Sequence, residues 1–214
     1  MKEILGNITL YNADCMDIMR EIPDKEFDLA IVDPPYGIDI MHLGGMPKHL
    51  GFRKYERKDW DKKRPDKEYF EELFRVSKNK IIWGANYFAE YLPASMGWVV
   101  WDKGQKLTMS DGELAFTSFH KALRIVTFNR CYIGEYGGNV HRAQKPVRLY
   151  KWLLDKYAKA GDKIIDTHLG SASIAIACNM SGLEFTGIEI DPEYYACARQ
   201  RLINQLGLFN TLNQ

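Results

Sequence analysis

Apolar positions along the chain switch repeatedly between a two-residue and a helical period, and the switches mark an α/β order. Ile8-Thr9-Leu10-Tyr11 predicts a short strand, and Asp14 stands where an N-cap would open a helix from Cys15 to about Ile22. Phe27-Asp28-Leu29-Ala30-Ile31-Val32 is apolar enough for a buried strand. Tyr69, Phe70, Leu73, Phe74 and Val76 give one apolar side to a helix between Asp66 and Ser77. Lys80–Trp83 and Trp98–Lys103 predict further strands, and Glu113–Phe119 with Leu123–Phe128 predict a hairpin joined around His120-Lys121. A helix from about Val147 to Lys159 follows, with Pro146 suited to its first turn and Gly161 to its C-cap. The last third reads as strand Lys163–Asp166, loop Thr167–Ser173, helix Ile174–Ser181 closed by Gly182, strand Phe185–Glu189, and a helix from Pro192 to about Leu206. The order predicts a mostly parallel α/β sheet with flanking helices and an antiparallel hairpin, as one domain over residues 1–214.

The pattern breaks hardest at Asp33-Pro34-Pro35-Tyr36-Gly37, directly behind the most apolar strand. Two adjacent prolines lack N–H groups and have fixed φ, so the chain must leave the sheet at Asp33. That presents a carboxylate, a rigid carbonyl and an aromatic ring at the strand's carboxyl end, where open α/β sheets bind ligands. A second candidate site lies in the final β-loop-α-β unit. Its first strand ends in Asp166 and its second in Glu189, 23 positions later (189 − 166), with Gly170 between them. This is nucleotide-binding geometry, in which the acid meets ribose hydroxyls. A dinucleotide site would want three glycines in the loop, and only Gly170 is present.

These motifs together resemble the β class of DNA amino-methyltransferases, over roughly residues 7 to 205, with the catalytic motif first and the cofactor motif last. The resemblance implies a Rossmann-like fold that moves a methyl group from S-adenosylmethionine to an exocyclic amine of a DNA base. Asp33, Pro34, Pro35 and Tyr36 would be its catalytic turn. An amine whose lone pair is delocalised into the base is a poor nucleophile. Accepting its N–H bonds at the Asp33 carboxylate and Pro34 carbonyl favours a tetrahedral nitrogen and stabilises the charge that develops on it. Tyr36 would stack on a base turned out of the duplex, and Gly84-Ala85-Asn86-Tyr87-Phe88 resembles a segment bordering that base's pocket. Asp heading the motif accompanies adenine N6 as the target, where Ser is common in cytosine-N4 enzymes. Adenine N6 is therefore the expected target, with cytosine N4, a catalytically silent DNA-binding relative, and an RNA substrate as alternatives.

For the cofactor, the resemblance singles out Asp14, Cys15, Gln144, Lys145, Pro146, Asp166, His168, Leu169, Gly170, Ser171 and Glu189. Asp14 is either a helix cap alone or also a contact to the cofactor's adenine. Gln144-Lys145-Pro146 matches the entry where polar groups meet the methionine carboxylate. The common family loop reads Asp-Pro-Phe-x-Gly-x-Gly, and here Thr167, His168 and Ala172 replace its Pro, Phe and second Gly.

A net charge of +1 conceals segregation. Residues 1–40 carry three basic and nine acidic side chains, residues 41–67 nine and four, and residues 119–156 eight and two. Two basic segments on a neutral protein suit a polyanion bound on one face. Lys48, Arg53, Lys54, Arg57, Lys62, Lys63 and Arg64, in a long aperiodic loop at about 38–65, are expected to meet phosphates of double-stranded DNA, with Arg130 and Arg142. The recognition segment of the family would fall at about 129–142, where it is short, and the resemblance also allows a homodimer. Four scattered cysteines have no metal-type spacing, and no metal is expected. No secretory signal opens the chain and no apolar run approaches about 20 residues, so a cytoplasmic protein without a membrane partner is expected.

Overall fold

The structure is a computed structural model that describes residues 1–39, 61–105, 110–141 and 143–212, with side chains to residue 207. Its strands are β1 (Lys2–Leu5), β2 (Ile8–Asn12), β3 (Phe27–Val32), β4 (Ser77–Trp83), β5 (Trp98–Asp102), β6 (Gly112–Thr117), β7 (Arg124–Thr127), β8 (Lys163–Asp166) and β9 (Glu184–Glu189). Its helices are α1 (Cys15–Glu21), α2 (Lys67–Val76), α3 (Val147–Tyr157), α4 (Ser173–Met180) and α5 (Pro192–Leu212). One sheet runs β1-β2-β9-β8-β3-β4-β6-β5-β7, and only β1 and β6 oppose the other strands.

Burial explains the sequence pattern. β3 lies mid-sheet with Leu29 to Val32 buried, because helices cover both faces of a parallel core and leave no polar face to alternate with. On one face, α1 and α2 pack around Met19, Phe70 and Leu73. On the other, α3, α4 and α5 pack around Leu149, Leu153, Ile176 and Leu202. α4 is buried from Ser173 to Cys178 and accordingly has no polar stripe. The faces change over where β8 and β3 meet, and the crevice at their carboxyl ends is the topological switch point.

Several expected boundaries shift. The antiparallel hairpin exists, but it is β5–β6, with Val99 opposite Ala115; β7 passes to the outside of β5 and pairs with it in parallel, Val100 opposite Ile125. The pairing expected between Glu113–Phe119 and Leu123–Phe128 is thus replaced. Alternation reports that a strand has one buried face and says nothing about its neighbour. β1 was not anticipated and pairs with β2 across a Gly6-Asn7 turn. β4 starts at Ser77, immediately after α2, without a loop. α3 ends at Tyr157, and Gly161 (φ +85°) lies in the following turn instead of capping the helix. Pro146 occupies the N-cap of α3, one position before its first turn. Among the described residues no helix is long and apolar enough to cross a membrane, and no group of three metal-ligating side chains occurs.

Candidate active site

β3 ends where expected, and Asp33 emerges at the switch point with its side chain mostly buried. Tyr36 donates from its hydroxyl to Asp33 Oδ1 at 2.5 Å, and Lys145 Nζ donates to Asp33 Oδ2. The Tyr36 ring stacks on Tyr87, with centroids 4.9 Å apart and planes 13° apart, and meets Phe88 edge-on. Its other neighbour is Gly84, at φ +65°, where an added Cβ would lie 2.1 Å from the ring. Only glycine supplies both that φ and that clearance. Beneath the turn, the buried Asp61 accepts from the Tyr36 and Gly37 amides at 2.7 and 3.1 Å. Asp61 carries no sequence signal for this role.

Lys145 does not stand alone. Its ammonium is 3.0 Å from Glu113 Oε2 and 5.2 Å from the Trp83 ring centre, while Lys103 pairs with Glu113 Oε1 at 2.9 Å. Burial works against the Lys145 charge, but Asp33 and Glu113 outweigh it and hold its pKa above the usual lysine value. Burial pushes Asp33 up, against the pull of Lys145. Glu113, which burial alone would raise, is held below the usual carboxylate range by Lys145 and Lys103. Sequence reasoning missed Glu113 and Lys103. The available signal was an acid in register with inward-facing Ala115 and Thr117 on β6.

The loop after β8 forms the opposite wall. One cleft is lined by Asp33, Pro34, Pro35, Tyr36, Gln144, Lys145, His168, Leu169, Gly170 and Ser171, among others. An adjoining cleft of about 460 Å³ is lined by Asp14, Cys15, Met16, Pro35, Lys63, Thr167, His168, Glu189 and Ile190, among others. Glu189 accepts from the Gly170 and Asp191 amides at 2.9 and 3.0 Å. Asp14 caps α1 by accepting from the Met16 amide at 2.8 Å, and remains exposed at the cleft. Ile190, 63% exposed beside Glu189, gives the cleft an apolar wall that sequence reading overlooked. Burial raises Asp166 to about 8 and the Cys15 thiol to about 12, and lowers His168 to about 4. Asp166 and His168 therefore tend to be uncharged near neutrality.

Gln144 lines the same cleft as Lys145, and its amide is also hydrogen-bonded to the preceding segment. The Gln144 amide donates to the Ile133 and Gly138 carbonyls at 2.7 and 3.0 Å and accepts from the Val140 amide, so it clamps the segment between Ile133 and Val140. Pro146 is buried at the head of α3. Buried Arg201 of α5 joins that segment to the loop after β8, donating to the carbonyls of Tyr136 at 2.8 Å and Ser171 at 2.6 Å. Of the basic side chains, Lys62, Lys63 and Arg64 are exposed, the last two at the second cleft. Arg64 nevertheless donates to the Tyr87 carbonyl at 2.6 Å and pairs with Glu90. Arg130 opens a short 3-10 turn, Arg130–Gly134. Lys48, Arg53, Lys54, Arg57 and Arg142 lie outside the described residues.

The donor set suits an adenosyl group: acids for ribose hydroxyls, an apolar wall for a flat ring, and a leaner loop than a pyrophosphate needs. A Rossmann-like sheet that brings an Asp-Pro-Pro-Tyr turn and such a cleft to adjoining strand ends defines the class of S-adenosylmethionine-dependent methyltransferases. Residues 82–200 match the model of the DNA methylase family of N6 and N4 methyltransferases, and the chain belongs to that family. That match begins beyond Asp33, so the turn stands on its own motif and geometry. The type II methyltransferase M.HpaI of Haemophilus parainfluenzae is 24% identical over 94% of this chain and 76% of its own length. M.HinfI of Haemophilus influenzae is 23% identical over 94% of this chain and 70% of its own. Among solved structures, the M1.HpyAVI–SAM complex superposes with a TM-score of 0.61 at 19% identity, covering 91% of this chain and all of that one. The cytosine-N4-specific PvuII DNA methyltransferase gives 0.63 at 12% identity, covering 96% and 92%. The protein is thus a DNA methyltransferase that uses S-adenosylmethionine.

Proposed function

We propose that the protein methylates the N6 amine of adenine in double-stranded DNA. The observation that carries this reading is Asp33 at the head of Pro34-Pro35-Tyr36, at the rim of the cleft whose far wall is the Leu169–Ser171 loop. The Asp33 carboxylate and Pro34 carbonyl accept the two N–H bonds of the target amine, which localises its lone pair. The bound cofactor supplies the electrophilic methyl group. Asp14 and Glu189 hold its adenosine part, with Ile190 against the ring, and Gly170 allows close approach of the backbone. As the nitrogen gains positive charge, the Asp33 carboxylate stabilises it and is the nearest acceptor for the proton that must leave. Tyr87 and Tyr36 form a stacked pair beside Asp33 on which an extruded base can rest. Cytosine N4 presents the same amine chemistry, and the likeness to a cytosine-N4-specific enzyme is one of fold.

Purified protein incubated with labelled S-adenosylmethionine and unmethylated genomic DNA, followed by digestion to nucleosides and mass spectrometry, tests the target. N6-methyladenine is expected, and a yield dominated by N4-methylcytosine overturns the adenine assignment. Asp33→Asn is expected to lower the single-turnover rate by about 100-fold or more with the thermal midpoint retained. Transfer near the wild-type rate would remove Asp33 from the mechanism.

A further inference from the structure

Lys103, Glu113 and Lys145, which continue a charged row behind the catalytic turn, have no role in that mechanism. The row runs Lys103, Glu113, Lys145, Asp33 and ends at the Tyr36 hydroxyl, with contacts of 2.9 Å between Lys103 and Glu113 and 3.0 Å between Glu113 and Lys145. Both lysines are buried, and carboxylates facing a buried ammonium offset the cost of its desolvation. Lys145 stands between two of them, each on a different element: Asp33 after β3 and Glu113 on β6. A simple ion pair would need only one.

We propose that Glu113 is a positioning residue for methyl transfer, which by sharing Lys145 keeps the Asp33 carboxylate aligned and available to the target amine. The inference rests on the assignment of Asp33 as the amine acceptor. Without Glu113, Lys145 has one anionic partner and settles fully on Asp33, occupying the lone pairs the amine needs. Without Lys145, Asp33 is a buried carboxylate facing Glu113, and it takes up a proton. The other groups facing Asp33 do not replace this control. Tyr36 and Tyr150 are phenols held well above their usual values by burial, as is Tyr69, and Asp166 is raised to about 8 by burial. Among the described residues, Lys145 and Glu113 are therefore the charges that act on Asp33 near neutrality, and they act in opposite directions.

Glu113→Gln, Lys145→Met and the double variant test this, together with Asp33→Asn. Single-turnover methyl transfer to unmethylated genomic DNA is followed against pH, with cofactor affinity measured by calorimetry and folding by thermal melts. Glu113→Gln is expected to slow transfer at neutral pH by about 10- to 100-fold while moving the acid limb to lower pH. Lys145→Met moves that limb to higher pH, so part of its loss returns as pH rises. The double variant brings the limb back toward wild type, a compensation that packing damage would not produce. An unmoved limb in Glu113→Gln, or one displaced in the same direction as in Lys145→Met, overturns the proposal. Should Lys145→Met fail to fold, the near-isosteric Glu113→Gln decides alone. An inactive Asp33→Asn with an unmoved Glu113→Gln limb sinks only this inference, whereas an active Asp33→Asn sinks the Asp33 assignment itself.

Discussion

Asp166 illustrates how a single residue can act against the fold that holds it. Its carboxyl is buried at the end of β8, accepting from the His168 amide at 3.0 Å, and burial lifts it to about 8 from an ordinary 3.8. A carboxyl raised in the folded state binds a proton that the unfolded chain has lost. Its contribution to stability is complete below the unfolded value and is lost as pH rises toward the folded one. Thermal melts from pH 5 to 9 should therefore show Asp166→Asn gaining on wild type as pH increases, and parallel curves would refute the burial argument. His168 acts on the other side. Burial lowers it from 6.5 to about 4, so the stability it contributes above 6.5 is lost as pH falls through that window. Gly84 gives a steric test. Gly84→Ala drives a methyl group into the Tyr36 ring at a positive φ, and should cost about 2 kcal/mol or more while slowing transfer by displacing Tyr36.

Among the elements, the short segment Asn129–His141 is held from two sides by polar side chains that need buried carbonyls. Gln144 grips it from the start of α3, and Arg201 reaches it from α5. Burial lowers Arg201 to about 10, and its salt-bridge partners among the described residues are replaced by the carbonyls of Glu135, Tyr136 and Ser171. Arg201→Met leaves those carbonyls without their donor. It should cost about 3 kcal/mol, with amide exchange rising first at residues 135–140 and 170–173 and cofactor affinity falling. Protection lost uniformly across the sheet would show that the arginine serves only the core. Ala172, at φ +59° before α4, fills the left-handed position that the common family loop gives to glycine. A non-glycine residue in that left-handed conformation carries a conformational cost of about 1 kcal/mol.

At the scale of the whole molecule, charge segregation meets the sheet. The acidic first 40 residues include β1 to β3, and the basic Lys63 lies at the cleft at the sheet's carboxyl edge. Since Arg64 is paired with Glu90, its share of phosphate binding falls below that of Lys63. Replacing Lys63 by Gln should flatten the slope of log affinity for DNA against log salt by up to about one unit, and Arg64→Gln by less. Equal effects from the two would contradict the role of the Arg64–Glu90 pair.

Much of this protein was legible as sequence because its chemistry is local. The apolar run of β3, the break at Pro34-Pro35, the cap Asp14, and the spacing of Asp166, Gly170 and Glu189 each depend on residues within about two dozen positions of one another. Backbone geometry and side-chain period act over that range. What sequence left open was partnership. Alternation in β6 and β7 could not say that β5 separates them, because pairing is decided by which strands share a core. Nothing near Lys145 announces that its ammonium meets Asp33, 112 positions away, and Glu113 on a third element. Gln144 is polar and adjacent to it, yet its amide bonds to the Ile133 and Gly138 carbonyls, since those buried carbonyls must be satisfied. Burial and long-range charge arise only when the sheet brings distant strand ends together, and so tertiary structure alone decided which acid Lys145 shares.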